Sequence, residues 1–259
     1  AVYNWTDTVY ITITSPDHNV NSASEESIGT TSLPIQVTTR NGKMCGTEKT
    51  YKAAEDGPDS GVFTAEVALT GFSHTLSSDT AAAQGYTVTT DCGSTDTSGQ
   101  IQTAGQTDGV SVSYEYNDGS VIVASASIAW NIGEANFDSS VASAGGSAVF
   151  TVVDPDENVD SSITDAFTVA IYSDSDAGGY TATMNETDED TGVFETTVYF
   201  TADAATSGSN IRVSEGDTVT AEYVDETLPE PYTSSDDLTI ASTLTIGTAF
   251  PPLERAPAA

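Results

Sequence analysis

One short stretch carries oxygen-bearing side chains at every second position, a spacing that suits a calcium-binding loop. These side chains are Asp154, Asp156, Asn158 and Asp160. Calcium takes about six to eight oxygen ligands, which carboxylates, amides and backbone carbonyls share. The likeness to an EF-hand loop is partial, because Val159 and Asp165 stand where that motif has glycine and glutamate. The alternative is a polar turn in which Asp and Asn side chains accept hydrogen bonds from nearby N–H groups.

Two further acidic loops are expected to lie beside this stretch. Loops of a β-sandwich cluster at its two ends. Asp188-Glu189-Asp190 precedes one predicted strand, and Asp225-Glu226 follows another. Carboxylates brought together in this way repel one another and need a cation to offset their charge. The sequence therefore predicts a calcium ion held by the Asp154–Asp160 loop together with Glu189, Asp190, Asp225 and Glu226.

A weaker copy of the acidic loop occurs near the start of the chain, at Ser15-Pro16-Asp17-His18-Asn19-Val20-Asn21. Ser15 replaces the leading aspartate, whereas Asp17 and Asn19 keep the next two oxygen positions. Asp59 and Asp118 lie in later turns that are expected to reach the same end of a sandwich. We predict a second calcium site here, of lower affinity because fewer of its ligands carry charge.

Catalytic motifs are missing from the sequence, which predicts that the chain is not an enzyme. His18 and His74 are the only histidines, and they are not spaced as zinc ligands. No nucleophile elbow, phosphate-binding glycine loop or His-Glu-x-x-His motif occurs. Acidic residues are so numerous that any pair chosen as glycosidase carboxylates carries no information.

The elements that position these residues are predicted to be β-strands. Apolar and polar residues alternate along short runs bounded by Gly, Asp, Asn, Ser and Pro, and helical periodicity is nearly absent. Strands are predicted at residues 8–14, 33–39, 62–69, 109–116, 121–126, 148–153, 167–172, 180–185, 193–201, 218–223 and 238–246. Many short strands separated by turns indicate an all-β fold of the sandwich type.

Several landmarks recur in the same order in both halves of the chain, which indicates a tandem repeat. The acidic loop is the first landmark. The second is Asp59-Ser60-Gly61-Val62-Phe63, which matches Asp190-Thr191-Gly192-Val193-Phe194, and we expect the phenylalanine to point inward in both copies. The third is the run 107–118, which matches 213–225.

The repeat predicts two tandem immunoglobulin-like β-sandwich domains, at residues 1–126 and 127–250. The first domain has an insertion at 72–103, which is rich in Ser, Thr and Gly. Residues 251–259 are Pro-rich and are interpreted as a stiff linker to a following module. The alternative is that these residues form a natural tail.

Charge narrows the choice of partners. The chain has 259 residues, with 6 Lys and Arg against 39 Asp and Glu, for a net charge of −33. So acidic a chain is a poor partner for nucleic acid and for anionic membrane surfaces. The expected partners are small cations, although the charge can also serve solubility alone. No apolar stretch is long enough to span a membrane.

Two cysteines and two glycosylation triplets indicate whether the protein is exported from the cell. Cys45 and Cys92 lie in polar, glycine-rich sequence, where a disulfide suits an exported protein and two free thiols are the alternative. Asn4 and Asn185 begin Asn-x-Thr acceptor triplets, which also arise by chance. These features favour an extracellular protein.

A longer series of motifs in the second half resembles the surface-layer proteins of ammonia-oxidising archaea. The motifs are the Asp154–Asp160 loop, Tyr172-Ser173-Asp174-Ser175-Asp176-Ala177-Gly178-Gly179, Thr191-Gly192-Val193-Phe194-Glu195, the run 212–223, Asp225-Glu226-Thr227-Leu228-Pro229 and Pro251-Pro252-Leu253-Glu254-Arg255-Ala256-Pro257. The resemblance covers 127–259 closely and reaches 1–126 largely through the internal repeat.

The resemblance implies a secreted, glycosylated chain of many immunoglobulin-like domains at the cell surface. Copies of such a chain pack into a two-dimensional lattice that binds divalent cations and concentrates ammonium near the cell. The alternative is a secreted adhesion or glycan-binding module, which needs an exposed aromatic platform. Trp5 and Trp130 stand at equivalent strand starts, and this position favours packing in a core or a junction instead.

Overall fold

The computed structural model of the chain is almost entirely β. It describes residues 1–30, 32–40, 43–44, 51–72, 74, 99–161, 163–202 and 205–247. Within these ranges there is no α-helix, and two short 3-10 turns lie at Pro16–His18 and Pro155–Glu157. No helix in this part of the chain is long and apolar enough to cross a membrane. The predicted all-β fold of the sandwich type is confirmed.

Residues 1–129 form two sheets. Their strands are β1 Val2–Tyr3, β2 Thr8–Thr14, β3 Ser27–Ile28, β4 Ile35–Thr38, β5 Lys43–Met44, β6 Ala53–Glu55, β7 Val62–Leu69, β8 Gln100–Ile101, β9 Thr107–Asn117 and β10 Ser120–Ala129. One sheet has the order β1-β10-β9-β4-β5, and the other has the order β2-β7-β6-β3 with β8 beside β7. Side chains of both sheets meet in two apolar clusters, one that contains Val9 and Val67 and one that contains Phe63 and Tyr114, as in a sandwich.

Residues 134–247 form one continuous sheet that folds around a second core. Its strands are β11 Glu134–Phe137, β12 Val141–Ser143, β13 Ser147–Val153, β14 Ala166–Ser173, β15 Asp176–Glu186, β16 Val193–Thr201, β17 Asn210–Arg212, β18 Thr218–Asp225 and β19 Leu238–Gly247. The order is β11-β13-β16-β15-β14-β18-β19-β12, with β17 beside β16. Its core contains Phe150, Phe167, Phe194 and Tyr223.

Alternation of side chains explains why these segments are strands with one buried face. In β18 the side chains are alternately half-buried and fully buried. Val219, Ala221 and Tyr223 therefore face the core, and the same period carries the Asp225 carboxylate inward. Phe63 and Phe194 are both completely buried, which confirms the inward orientation predicted from the repeat.

The structure also bears on the predicted boundary near Ala126. This residue lies inside β10, and the strand continues to Ala129. No described strand of residues 1–129 pairs with a described strand of 134–247. The division between the sheets therefore falls between Ala129 and Glu134, a few residues after the predicted boundary. Most of the insertion at 72–103 and all of the linker at 251–259 lie outside the described residues. The assignment of two domains stays a prediction.

Candidate metal centre

The Asp154–Asp160 loop leaves β13 through a 3-10 turn that its own side chains support. Asp154 Oδ1 accepts the N–H of Asp156 at 2.9 Å. Asp165 Oδ2 accepts the N–H groups of Val159 and Asp160 at 2.7 and 3.0 Å. The alternative prediction of a polar turn is therefore correct for Asp154 and Asp165, which act as turn caps as acidic side chains commonly do.

The turn at Thr191-Gly192, which matches Ser60-Gly61 in the repeat, packs against this loop. Gly192 has a φ of +59°, and a Cβ there would lie 2.6 Å from Pro155 Cα, so only glycine fits. Buried Glu186 Oε1 accepts the N–H groups of Thr191 and Gly192, each at 2.8 Å. Asp154 then donates its N–H to Gly192 O at 2.8 Å. These contacts tie the turn before β16 to the acidic loop.

The loop packs against the first part of the chain rather than extending into solvent. Val159 is 2% exposed and belongs to the core that contains Trp5 and Trp130. Trp5 donates its indole N–H to Asp156 O at 2.8 Å, and Thr6 Oγ1 donates to Asn158 O. The loop is therefore the main element of the junction between residues 1–129 and 134–247. The predicted junction packing of the two tryptophans is confirmed, with their rings 5.3 Å apart and edge to face.

Three carboxylates lie buried beside this junction. Asp154, Asp156 and Asp225 are each 0% exposed. Their donors are uncharged: Tyr223 O–H reaches Asp154 Oδ2 at 2.6 Å, Asn131 N–H reaches Asp156 Oδ2, and Gly133 N–H reaches Asp225 Oδ2 at 2.9 Å. A Cβ on Gly133 would lie 2.6 Å from Asp154 Oδ2, so the backbone itself approaches the carboxylate closely.

Burial and mutual repulsion disfavour the charged forms of these groups. Burial, and then the charge of Asp225, raise the pKa of Asp154 to about 7. Burial, and then the charge of Asp154, raise the pKa of Asp156 well above its usual range. Burial also raises the pKa of Asp225. The neutral forms of these carboxyl groups are therefore favoured up to a higher pH than in an exposed aspartate.

Two buried oxygens make this set chemically suited to a cation. Asp156 Oδ1 and Asn158 Oδ1 have no hydrogen-bond partner among the residues that the structure describes, although both side chains are buried. Carboxylate and amide oxygens are the ligands that calcium prefers. Among the described residues, however, no three His, Cys, Asp or Glu side chains already form a group that could hold a metal ion. Asp154, Asp156, Asn158 and Asp225 would hold calcium only after their side chains turn towards one another.

The other predicted ligands of this site are divided between two places. Asp190 is exposed and accepts Asn158 Nδ2–H at 2.8 Å, so it reaches the outer side of the loop. Glu189 is exposed, and its N–H is bonded to Asp188 Oδ1 at 2.9 Å. Glu226 is half-buried beside His74 and raises the pKa of that imidazole, which burial lowers more strongly. Asp160 is half-buried at the end of the loop.

The predicted site in the first part is more open. Asn19 Nδ2–H donates to Asp59 Oδ1 at 3.0 Å, which reproduces the Asn158–Asp190 contact of the second part. Asp17, Asp59 and Asp118 are exposed. Asp118 lies in the turn between β9 and β10, where its N–H is bonded to Asn117 Oδ1 at 2.8 Å. The structure brings Asn19 and Asp59 together, and no contact joins Asp118 to them in the described part of the chain.

The predicted disulfide and glycosylation residues differ in whether the structure describes them and in how exposed they are. Cys45 and Cys92 are outside the described residues, so the disulfide stays a prediction. Asn4 is half-buried, and its Oδ1 accepts Asn131 Nδ2–H at 2.9 Å. Asn185 is exposed on β15.

Sequence reasoning missed two important members of the site, Glu157 and Glu186. Glu157 is buried, and its Oε1 lies 3.1 Å from the hydroxyl of Tyr223. Glu186, described above, corresponds to Glu55, which accepts the N–H of Gly61 at 2.7 Å. The internal repeat is the signal that leads to Glu186, because both glutamates stand six residues before the matching glycine.

Comparisons with known proteins add little to this geometry. No protein-family model matches the chain, and no curated protein sequence matches it. Among solved structures, the chain is similar to the Yersinia pseudotuberculosis adhesin InvE, with 15% sequence identity and a TM-score of 0.23. The match covers 99% of this chain and 62% of that structure, so the chain spans less than two thirds of its length. A likeness at this level carries no argument about function.

Proposed function

We propose that this chain is a structural module of an extracellular surface layer, and that calcium stabilises the junction at its Asp154–Asp160 loop. One observation carries the cation part: Asp156 Oδ1 and Asn158 Oδ1 are buried and have no hydrogen-bond partner within the described part of the chain, beside the buried carboxylates of Asp154 and Asp225. An unpaired buried acceptor costs about 1–3 kcal/mol, and more when it is charged. A divalent cation would satisfy these oxygens and offset the repulsion between the carboxylates.

The place of the cluster suggests what the cation does. The loop bonds to Trp5 and Thr6 through its backbone carbonyls, and Asn131 bonds to Asp156 through its N–H. An ion held by the loop would therefore also stabilise the contacts between the two parts of the chain. A stiff junction suits a module that must keep its shape within a layer. Glycan binding through an aromatic platform is less well supported, because Trp5 and Trp130 are 1% and 2% exposed.

Calcium titration with thermal unfolding tests the cation part. The melting temperature of the wild type is expected to rise with calcium concentration and to fall when a chelator is added, because binding stabilises only the folded state. Asp156→Asn should abolish the calcium response. Its melting temperature in chelator should equal or exceed that of the wild type, because the substitution removes a buried charge without changing the shape.

Asp17→Asn is the matched control. It changes the equivalent aspartate of the exposed copy of the loop, so the calcium response of the junction should remain. A wild type whose melting temperature is indifferent to calcium and chelator would refute the cation part of the proposal.

Electron microscopy of the purified chain tests the layer. Addition of calcium is expected to produce ordered two-dimensional arrays of copies, whereas the chelated chain stays monomeric. A chain that remains monomeric at high protein concentration with calcium would contradict the layer, independently of the melting data.

The exterior of such a layer would attract ammonium and other small cations. The net charge of −33 raises the local cation concentration near the surface. Salt screens this attraction beyond about 8 Å at physiological ionic strength, so narrow or densely lined pores would be needed. Equilibrium dialysis should show ammonium enrichment that falls with added salt. Enrichment that persists after the surface carboxylates are neutralised would exclude this role.

A further inference from the structure

The two Asn-x-Thr triplets lie in opposite environments. Asn185 stands near the end of β15, where it pairs with Ala166 on one side and with Glu195 on the other. Asn185 and Thr187 are exposed, whereas Glu186 between them is buried. The alternation of a strand therefore places the Asn185 carboxamide on the outer face of the sheet, away from the core.

The fold does not use the side chain of Asn185. Its carboxamide makes no hydrogen bond to any residue that the structure describes. The backbone holds the triplet in place instead, since Glu186 N–H donates to Asp165 O and Thr187 N–H donates to Val193 O, each at 2.9 Å. A group attached to Asn185 Nδ2 would therefore extend into solvent without displacing a contact between described residues.

The other triplet is part of the junction between residues 1–129 and 134–247. Asn4 Oδ1 accepts the Nδ2–H of Asn131 at 2.9 Å, and Asn4 Nδ2 lies 3.5 Å from Asp7 Oδ1. Thr6 is buried, and its hydroxyl donates to a backbone carbonyl of the acidic loop. The nitrogen and the hydroxyl that make this triplet an acceptor are thus both engaged inside the fold.

N-glycosylation requires the acceptor nitrogen to be reachable by a transferase and by a saccharide linked to a polyprenyl phosphate. The reaction joins the carboxamide nitrogen to the anomeric carbon of the saccharide and releases one proton from the nitrogen. The bond from that carbon to the carrier phosphate breaks, and the phosphate leaves with the electron pair. The product carries a bulky polar group. Asn185 can accept this group in the folded chain, whereas Asn4 would first have to leave its contact with Asn131.

We propose that Asn185 carries an N-linked saccharide, and that Asn4 stays unmodified as a residue that positions the junction. Because β15 lies between β14 and β16, the saccharide covers the outer face of these three strands with a hydrated group. The proposal rests on the extracellular location in the proposed function, since such triplets are modified in secreted proteins. It rests neither on the cation at the junction nor on assembly into a layer.

Transfer of a saccharide to the purified, folded chain tests the proposal. The enzyme is a single-subunit oligosaccharyltransferase that accepts Asn-x-Thr, and the donor is a polyprenyl-phosphate-linked saccharide. Peptide mapping by mass spectrometry should find an occupancy at Asn185 at least about tenfold above that at Asn4, because Asn4 becomes reachable only when the junction opens. Synthetic peptides of residues 1–10 and 181–190 are the control. Both should be modified, since neither is folded.

Asn185→Gln and Asn4→Gln are matched variants, because each removes one acceptor and keeps a carboxamide. Asn185→Gln is expected to abolish modification of the folded chain and to leave its melting temperature unchanged. Asn4→Gln should leave the modification unchanged but lower the melting temperature by about 2–4 °C, because the longer side chain misplaces the hydrogen bond to Asn131. Circular dichroism checks that both variants fold.

Two results would overturn the proposal. The first is a folded chain that remains unmodified at Asn185, whatever the peptides show. The second is equal occupancy of Asn4 and Asn185 in the folded chain, in which case the junction does not protect Asn4. These assays use neither calcium nor an array of copies, so their failure is distinguishable from a failure of the proposed function.

Discussion

The two copies of the proline-containing loop share a backbone but lie in different environments. In both, a 3-10 turn closes by N–H donation to Pro16 O or Pro155 O, and a Gly of positive φ packs against the proline. Val159 is nevertheless 2% exposed, whereas its counterpart Val20 is 82% exposed. Local sequence therefore sets the shape of the turn, and packing against another part of the chain decides whether the turn is buried.

The sheet edges of the two parts of the chain, residues 1–129 and 134–247, differ in the same sense. The second part covers its open edge with β11, while no described strand covers the equivalent edge of the first. The second part thus has both a buried acidic loop and a covered sheet edge, whereas the equivalent loop and edge of the first part are exposed among the described residues. The predictions below test whether these differences have energetic consequences.

The largest difference is expected between the two valines. Val159→Asp places an uncompensated charge in the core around Trp5 and Trp130 and should lower the free energy of unfolding by about 3–5 kcal/mol. Val20→Asp should change it by less than about 0.5 kcal/mol, because the side chain is exposed. Urea denaturation of both variants measures the contrast. Equal effects would mean that the loop does not pack at the junction.

A pH dependence is expected from the buried copy of the loop. Without divalent cations, the folded state keeps a proton on Asp154 up to about pH 7, whereas the unfolded state loses it near pH 3.8. Unfolding therefore releases a proton within this window, and the melting temperature should fall as pH rises through it. Asp154→Asn should reduce the slope. Ser15→Asp, which places an aspartate in the exposed copy, should add no comparable slope.

A smaller contrast is expected at the two edges. Ile240→Asp places a charge beside the core against which Ile240 packs and should destabilise the chain by about 1–2 kcal/mol. Ile122→Asp should cost less than about 0.5 kcal/mol, since Ile122 is exposed. Thermal unfolding of the two variants at equal protein concentration compares them. A costly Ile122→Asp would mean that Ile122 is covered in solution.

The smallest difference is expected at the hydrogen bond that both copies of the loop make, between Asn19 and Asp59 and between Asn158 and Asp190. Asp59→Ala and Asp190→Ala each remove one side-chain hydrogen bond, to Asn19 at 3.0 Å and to Asn158 at 2.8 Å. Each should cost about 0.5–1.5 kcal/mol, with similar values for both. Denaturation curves measured side by side are the test. A much larger loss for Asp190→Ala would show that this exposed carboxylate also supports the junction.

Strand positions were largely predictable from the sequence, whereas the environment of the acidic loop was not. Val62–Leu69 and Val193–Thr201 have the predicted bounds, because alternation and flanking glycines mark both ends. Short strands such as β11 and β12 were missed, since so few residues carry no clear period. Asp225 was predicted as a ligand, but its complete burial follows from its place on the inward face of β18.

The sequence by itself determined the all-β fold, the internal repeat and the strongly acidic character of the chain. Alternation, recurring turn motifs and charge are local properties that can be read without coordinates. The tertiary structure alone decided that Asp156 is buried where Trp5 bonds to its carbonyl, while its counterpart Asp17 is exposed. Burial depends on which surfaces meet, and residues about 150 positions apart in the chain meet only after folding.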